Sequence, residues 1–305
     1  MGHGHSHGGS VPAGTPAGRH KARLAWALAL TLTYMIAEVV GGLLTGSLAL
    51  LADAAHMVTD AGGLALSLIA IHFAAKPPTP GKTFGYLRFE ILAALANAVV
   101  LLLVTVYILY EAYRRFVDPP EILGWPMMAV AVVGLGVNLA SMRILSGGAS
   151  DSLNLRSAYY EVFADMLGSL GVILAAIVVM TTGWSVADPI VGAAIGLFIL
   201  PRTWNLLNEA VHILLQGTPA HIDLGRVRSG IEAIPGVRRV YDLHVWTLTS
   251  GFDAMSAHVV VHDLAEAPSV VRAVRRVMKG DHAVEHVTVQ VEDEALAREA
   301  PQLAV

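Results

Sequence analysis

Residues 48–75 read LALLADAAHMVTDAGGLALSLIAIHFAA, an apolar stretch long enough to cross a bilayer as a helix. Within it, His56 and Asp60 are four residues apart, so they lie on one face of that helix. A second apolar stretch repeats this spacing with Glu161 and Asp165. An ionisable side chain at the bilayer centre costs roughly 2.5 kcal/mol or more, so four of them predict a shared partner, most simply a cation.

The composition excludes an ordinary soluble enzyme. The 305 residues are 55% hydrophobic and only 14% charged, with a mean hydropathy of +0.60. This predicts a protein that crosses the lipid bilayer several times and carries a soluble tail. The net charge of -4 and the lack of a basic stripe predict no nucleic-acid partner. Because the chain has no cysteine, only His, Asp, Glu and water remain as metal ligands.

The hydropathy pattern predicts an α-helical transmembrane bundle of six spans, near residues 23–44, 48–75, 88–115, 124–145, 155–180 and 187–207. Lys and Arg near the span ends gather on one side of the membrane, within residues 19–23, 76–82 and 143–156. Arg114 and Arg115 are a minor exception on the other side. The positive-inside rule then predicts a multi-pass protein of the cell's inner (plasma) membrane with both termini in the cytoplasm.

The pattern changes after Gln216. Helical and alternating stretches follow one another in the order αββαβ, which predicts a small ferredoxin-like α/β domain in the cytoplasm. The predicted segments are a disordered His- and Gly-rich tail at 1–21, the membrane domain at 22–215, the cytoplasmic domain at 216–293 and a C-terminal tail at 294–305. His3, His5 and His7 in the first tail are open to metal capture, solvation alone or an origin in cloning.

Other polar side chains in the spans face the same cost of lipid. Asp53 lies one turn before His56 and is a candidate outer-shell or water-relay group. His72, near the inner end of its span, is either a minor entry site or a solvated side chain. Four more residues are expected to form interhelical hydrogen bonds first and a proton path second: Glu38, Asn97, Asn138 and Asp188.

Several stretches carry a family resemblance: GSLALLADAAHMVTD at 46–60, TFGY at 83–86, NLR at 154–156, DMLGS at 165–169, GTP at 217–219 and DLHVWT at 242–247. They resemble the cation diffusion facilitators, in the zinc, cobalt and cadmium efflux branch. The resemblance covers nearly the whole chain from Ala22 to Glu292. It implies a homodimeric six-span transporter, not an enzyme, that exports Zn²⁺ or a similar divalent ion in exchange for protons.

One residue departs from the family pattern. Zinc-selective members usually carry His where this chain has Glu161, so the predicted site is His56, Asp60, Glu161 and Asp165. A carboxylate in place of an imidazole makes the site harder and more anionic, which favours Co²⁺, Fe²⁺ or Mn²⁺ more than usual. His56 still argues for Zn²⁺ first, with looser selectivity.

A second cluster of metal-binding side chains is predicted in the tail. His244, His258, His286 and Glu292 alternate away from apolar neighbours, so they share the less apolar faces of the strands. By itself, this pattern favours a half-solvated sheet with ordinary surface histidines. The resemblance implies instead that residues 216–293 bind metal and form the dimer, so that filling these sites draws two tails together and favours transport.

Proton coupling has a direct chemical basis. Only deprotonated carboxylates and neutral histidine bind metal, so loading must displace protons, and alternating access would make this an antiport. A passive channel and a membrane-anchored metal sensor remain as alternatives, although a four-ligand cage binds too tightly for fast conduction. A membrane zinc hydrolase is disfavoured because the chain has no His-Glu-x-x-His motif.

Overall fold

A computed structural model describes residues 16–74, 76–146 and 153–299. Its six long helices are α1 (Pro16–Thr45), α2 (Leu48–Ala74), α3 (Phe89–Val117), α4 (Gly124–Ser146), α5 (Leu153–Thr182) and α6 (Ala187–Leu214). Within the described residues, five stretches are long and apolar enough to cross a membrane, one in each of α1, α3, α4, α5 and α6. Helix α2 is not among these five, but it has 27 residues and holds the His56 and Asp60 pair. The chain is a multi-pass membrane protein.

Helices reach into both segments that the sequence predicts as tails. Helix α1 begins at Pro16, inside the predicted segment 1–21. Residues 294–299 form a short helix, α9 (Glu294–Glu299), inside the predicted C-terminal tail. The early histidines, His3, His5 and His7, lie outside the described residues.

The described residues divide into two compact units, Met1–Gly62 with Val99–Trp204, and Gly63–Ala98 with Asn205–Val305. In the first unit α1 packs on α4, and α4 packs on α5. Small side chains fill much of this interior, including the buried Ala49, Ala131, Ala175 and Ala176. Small residues let helices approach closely in a bilayer, where van der Waals packing drives their association.

Helix α2 is capped at its N-terminus by a residue of α6. The Asp188 carboxylate accepts hydrogen bonds from Ser47 Oγ (2.5 Å), Leu48 N (2.6 Å) and Ala49 N (3.2 Å). The first amides of a helix have no intrahelical partner, and a negative charge there is also favoured by the helix dipole. This contact stabilises the start of α2, two turns before His56.

Helix α6 contains a proline in its interior, Pro201. Proline has no backbone N–H, so the carbonyl of Leu197 loses its usual helical partner. The proline that causes this missing hydrogen bond comes directly before Arg202.

In the second unit the tail has the predicted αββαβ order. It consists of α7 (Leu224–Glu232), β1 (Val237–Thr249), β2 (Phe252–Val261), a 3-10 turn (Leu264–Glu266), α8 (Ala267–Asp281) and β3 (His286–Glu292). The strand order is β1-β2-β3, with β2 antiparallel to β1 and parallel to β3. Buried side chains of both helices, such as Val227, Ile231 and Val274, pack against buried Met255 and Val259 of the sheet. The tail therefore has a hydrophobic core of its own.

A bulge interrupts β1 at Asp242. The backbone of Asp242 has a φ of 49°, and the pairing with β2 shifts between Tyr241 and His244. Val240 and Leu243, three residues apart, are both buried, so strict alternation fails here. The bulge brings the Asp242 carboxylate beside His244 and His258.

The turn between β1 and β2 contacts the first turn of α3. Thr249 Oγ1 donates a hydrogen bond to Glu90 Oε2, and Ser250 Oγ donates to Glu90 Oε1 at 2.7 Å. Nearby, the His286 ring lies edge-on to Phe84, with centroids 5.6 Å apart. These contacts join the tail to the start of a membrane helix within the second unit.

Candidate metal transport site

The first predicted pair is in contact on α2. His56 Nε2 lies 3.5 Å from Asp60 Oδ2, as the four-residue spacing requires. The His56 side chain is 11% exposed and that of Asp60 is 28% exposed. The other ring nitrogen, His56 Nδ1, is buried and has no hydrogen-bond partner among the described residues. The pair therefore keeps a free nitrogen in a place where polar atoms are normally satisfied.

The second pair, on α5, faces the first. The Asp60 and Glu161 carboxyl groups lie close enough to interact electrostatically. Asp165 is buried, at 5% exposure, and interacts electrostatically with both Glu161 and Asp60. We call His56, Asp60, Glu161 and Asp165 the intramembrane cluster.

The intramembrane cluster is not arranged as a finished metal site. Among residues 16–74, 76–146 and 153–299, no group of three or more His, Asp or Glu side chains is arranged to hold a metal ion. One reason is visible at Glu161, which is engaged by another partner. Arg202 Nη2 of α6 lies 3.4 Å from Glu161 Oε1.

Arg202 is the residue that the sequence analysis missed. It also interacts electrostatically with His56, Asp60 and Asp165, so its charge reaches the whole cluster. The sequence does contain a sign of its importance, because Arg202 lies inside the sixth predicted span. An arginine within a span needs a partner. The partner could not be named without knowing how α5 and α6 pack.

Asp53 was predicted as an outer-shell or water-relay group beside the cluster. Asp53 is 3% exposed and packs its Oδ1 against Gly168, where a Cβ would lie only 2.7 Å away. In the part of the chain that the structure describes, Asp53 Oδ2 has no hydrogen-bond partner, and the Asp53 charge interacts with Glu38 and with Asp165. This placement beside the cluster suits a group outside the ligand set.

Three further polar residues that were predicted in the spans, Asn138, Asp188 and His72, have other surroundings. Asn138 Nδ2 donates to Ser169 Oγ at 3.3 Å, an interhelical hydrogen bond between α4 and α5. Asp188 caps α2, so its carboxylate oxygens are already taken by three donors. His72 is exposed and lies edge-on to the ring of Phe73.

Three of the four predicted tail residues meet in one network on the sheet. His258 Nδ1 lies 2.8 Å from Glu292 Oε1, and His258 Nε2 lies 3.7 Å from Asp242 Oδ2. His244 Nε2 lies 2.9 Å from Asp242 Oδ1. We call Asp242, His244, His258 and Glu292 the tail cluster. Asp242 was not predicted to belong to it, because the bulge breaks the alternation on which that prediction rested.

The fourth predicted tail residue, His286, lies apart from this network. It stands at the start of β3 against the rings of Phe84 and Phe252. Tyr241 joins the network instead, by donating its hydroxyl to Glu292 Oε2. Burial, reinforced by this hydrogen bond to Glu292, raises the pKa of Tyr241 to about 12.

Two protein-family models match the chain. The cation efflux transmembrane domain matches residues 24–215, and the cytoplasmic domain of cation efflux proteins matches residues 219–294.

Three relatives are similar over almost the whole chain. The metal cation efflux system protein CzcD of Cupriavidus metallidurans is 49% identical, over 96% of this chain and 90% of its own length. A cadmium, cobalt and zinc/H(+)-K(+) antiporter of Bacillus velezensis is 42% identical, over 97% of this chain and 93% of its own. The zinc transporter ZitB of Escherichia coli is 40% identical, over 96% and 93%.

Proposed function

The chain belongs to the cation efflux family, and we propose that it exports Zn²⁺ and similar divalent cations from the cytoplasm in exchange for protons. Metal efflux by a membrane transporter is what the family does. The exchanged ions, their binding residues and the direction relative to the cell are the parts we propose.

The observation that carries the proposal is the meeting of two ionisable pairs from different helices. His56 and Asp60 lie 3.5 Å apart on α2, and the carboxylates of α5 are within reach of Asp60. Together they offer one nitrogen and three carboxylates, a donor set that suits a divalent cation with tetrahedral N/O coordination. The buried His56 Nδ1, which has no partner within residues 16–74, 76–146 and 153–299, supports a site that is completed by a bound ion.

Proton exchange follows from the same donor set. Carboxylates and histidine lose protons before they bind metal, so metal and protons compete for the same atoms. Alternating access converts this competition into transport, with metal loaded on the cytoplasmic side and protons on the other. The name of the Bacillus velezensis relative, a metal/H(+)-K(+) antiporter, supports this coupling.

We propose Zn²⁺ as the foremost cargo. His56 favours borderline ions such as Zn²⁺ and Co²⁺, and Glu161 adds tolerance for harder ions such as Mn²⁺ and Fe²⁺. The relatives named for zinc, cadmium and cobalt support this group of metals.

We also propose a homodimer in the plasma membrane with both termini in the cytoplasm. The distribution of Lys and Arg supports this orientation. The tail cluster supplies two histidines and two carboxylates, residue types that bind a divalent ion, although no group among the described residues is already arranged to hold one. We propose that metal bound there holds two tails together and favours transport.

The test is transport by purified protein in proteoliposomes. Initial rates are measured with Zn²⁺, Cd²⁺, Co²⁺, Fe²⁺ and Mn²⁺, with and without an imposed pH gradient. The expected result is Zn²⁺ flux that rises with the gradient and disappears in Asp60→Ala. Glu161→His is expected to narrow the selectivity toward Zn²⁺.

Two outcomes oppose the proposal. Flux that ignores the pH gradient would refute proton exchange. Flux that persists in Asp60→Ala at the wild-type rate would remove the intramembrane cluster from the transport path.

A further inference from the structure

The cluster on α2 and α5 has a third helix as a neighbour, and that helix contributes a positive charge. Arg202 Nη2 of α6 contacts Glu161 Oε1 at 3.4 Å. The side chains of Arg202 and Glu161 are 59% and 41% exposed, so the pair is not enclosed by protein. A single long contact of this kind holds its partners weakly.

The charges set up a competition. When ionised, Asp60, Glu161 and Asp165 carry three negative charges, and the guanidinium of Arg202 offsets one of them. Arginine stays protonated under all ordinary conditions, so this positive charge cannot be removed by titration. A divalent cation that approaches Glu161 meets both an occupied oxygen and a like charge.

We propose that Arg202 sets the metal affinity of the transport site, by competing with the cargo for the Glu161 carboxylate. The guanidinium pairs with Glu161 when the site is empty and must leave it for metal to bind. Returning to Glu161, it helps to release the ion. This inference rests on the proposed function, since it takes the intramembrane cluster as the transport site.

The position of Arg202 suits such a movement. Pro201 directly before it removes one backbone hydrogen bond from the turn of α6 that leads to Arg202. Among the described residues the exposed guanidinium has one hydrogen bond, to Glu161, and not a fork of two, so this contact is readily exchanged.

The competition has a consequence for selectivity. Cations that depend most on carboxylate oxygen lose most when Glu161 is occupied. Arg202 therefore disfavours Mn²⁺ more than Zn²⁺, for which His56 supplies a ligand that Arg202 does not occupy.

The experiment measures initial rates in proteoliposomes against metal concentration, for wild type, Arg202→Gln and Arg202→Lys. Arg202→Gln is expected to lower the Zn²⁺ concentration for half-maximal rate by about two- to fivefold, the effect of losing one exposed ion pair. The shift for Mn²⁺ is expected to be larger. Arg202→Lys retains the charge and is expected to stay near wild type.

A matched control and a second background isolate the contact. Arg143→Gln makes the same change at an exposed arginine near the end of α4 and is expected to leave the half-maximal concentration unchanged. In a Glu161→Gln background, Arg202→Gln is expected to have a clearly smaller effect on that concentration, because the oxygen for which it competes no longer carries a charge and only its interactions with His56, Asp60 and Asp165 remain. If Arg202→Gln does not elute as the wild-type protein does, Arg202→Met replaces it.

The outcomes separate the two proposals. If wild type transports metal and Asp60→Ala does not, but Arg202→Gln leaves the half-maximal concentration unchanged or raises it, the Arg202 inference is wrong and the transport site stands. If Asp60→Ala transports as wild type does, the transport site itself is refuted, and the Arg202 inference with it.

Discussion

The intramembrane cluster and the tail cluster contain similar side chains but satisfy them differently. In the tail, both histidines lie against carboxylates, and Glu292 also accepts from Tyr241 and Gln290. In the membrane domain, buried polar atoms of Glu38, Asp53, His56, Asn138 and Ser141 have no hydrogen-bond partner within the described residues. The side chains of the tail cluster are paired with one another, whereas several buried polar atoms of the membrane domain have no partner among the described residues.

This difference in hydrogen bonding predicts different roles for the two clusters, although their side chains are similar. Unpaired buried polar atoms are costly, so the intramembrane cluster gains most from an ion or protons. Metal entering the tail cluster must first break hydrogen bonds that already stabilise the fold. We therefore expect changes in the first cluster to abolish transport and changes in the second to adjust it.

The strongest test of this contrast is Asp165→Asn. The amide keeps the shape of the side chain but removes the negative charge that a metal ligand needs. We expect Zn²⁺ flux to fall by about 100-fold or more, since even indirect partners of metal sites are worth 10- to 100-fold. Proteoliposome flux is the measurement, and exposed Asp118→Asn is the control. Wild-type flux in Asp165→Asn would break the contrast.

Asp188→Ala tests a buried carboxylate of the same domain that is fully satisfied. Its three donors at the start of α2 would lose their acceptor, and we expect the membrane domain to lose about 2 to 3 kcal/mol of stability. Thermal unfolding in detergent measures this loss. The Zn²⁺ concentration for half-maximal transport is expected to stay unchanged in the folded fraction. A change in that concentration with no loss of stability would place Asp188 on the ion path.

Gly134→Ala tests how rigidly the polar interior is packed. A Cβ at Gly134 would lie 1.9 Å from the Tyr34 hydroxyl, which is itself held by a 2.5 Å hydrogen bond to buried Glu38. Because the tyrosine cannot move freely, we expect a loss of about 1 to 3 kcal/mol of stability.

Gly136→Ala is the matched control for this substitution, since a Cβ there meets nothing within 4 Å. It is expected to stabilise α4 by about 0.5 to 1 kcal/mol through helix propensity. Equal unfolding temperatures for the two variants would show that the interior is more adaptable than its geometry indicates.

The smallest effect is expected in the tail. His258→Ala should reduce Zn²⁺ flux roughly fivefold, the lower end of allosteric coupling, while His286→Ala should leave it unchanged. Binding is measured by calorimetry on the full chain with Asp60→Ala present, and the sites lost with His258→Ala are compared with those lost with His286→Ala. If His286→Ala removes that binding and His258→Ala does not, the tail cluster has been assigned to the wrong residues.

Much of the fold could be read from hydropathy and spacing. The long apolar helices, the αββαβ order and the contact of His56 with Asp60 all follow from local periodicity, which depends on near neighbours in sequence. Arg202 could not be paired with Glu161 in this way, because their contact depends on how α5 and α6 pack.

The tail shows two further limits of sequence patterns. Alternation predicts which face a strand residue occupies, but not its level along the sheet. β3 pairs with β2 so that Gln290 stands opposite His258 and His286 stands opposite Ala254. His286 is therefore about 13 Å along the strand from the level of His258. The bulge at Asp242 changes the alternation itself, and no single residue type announces it.

Glu90 links the β-hairpin of the tail to the start of α3 within the second unit. Two neighbouring hydroxyls at the tip of the β-hairpin donate to one carboxylate at the start of α3. A displacement of the sheet is therefore transmitted to the first turn of that helix. This coupling is direct and needs no chain of intervening side chains between the sheet and α3. A change in the conformation of the sheet can thus reach a membrane helix through the Glu90 carboxylate.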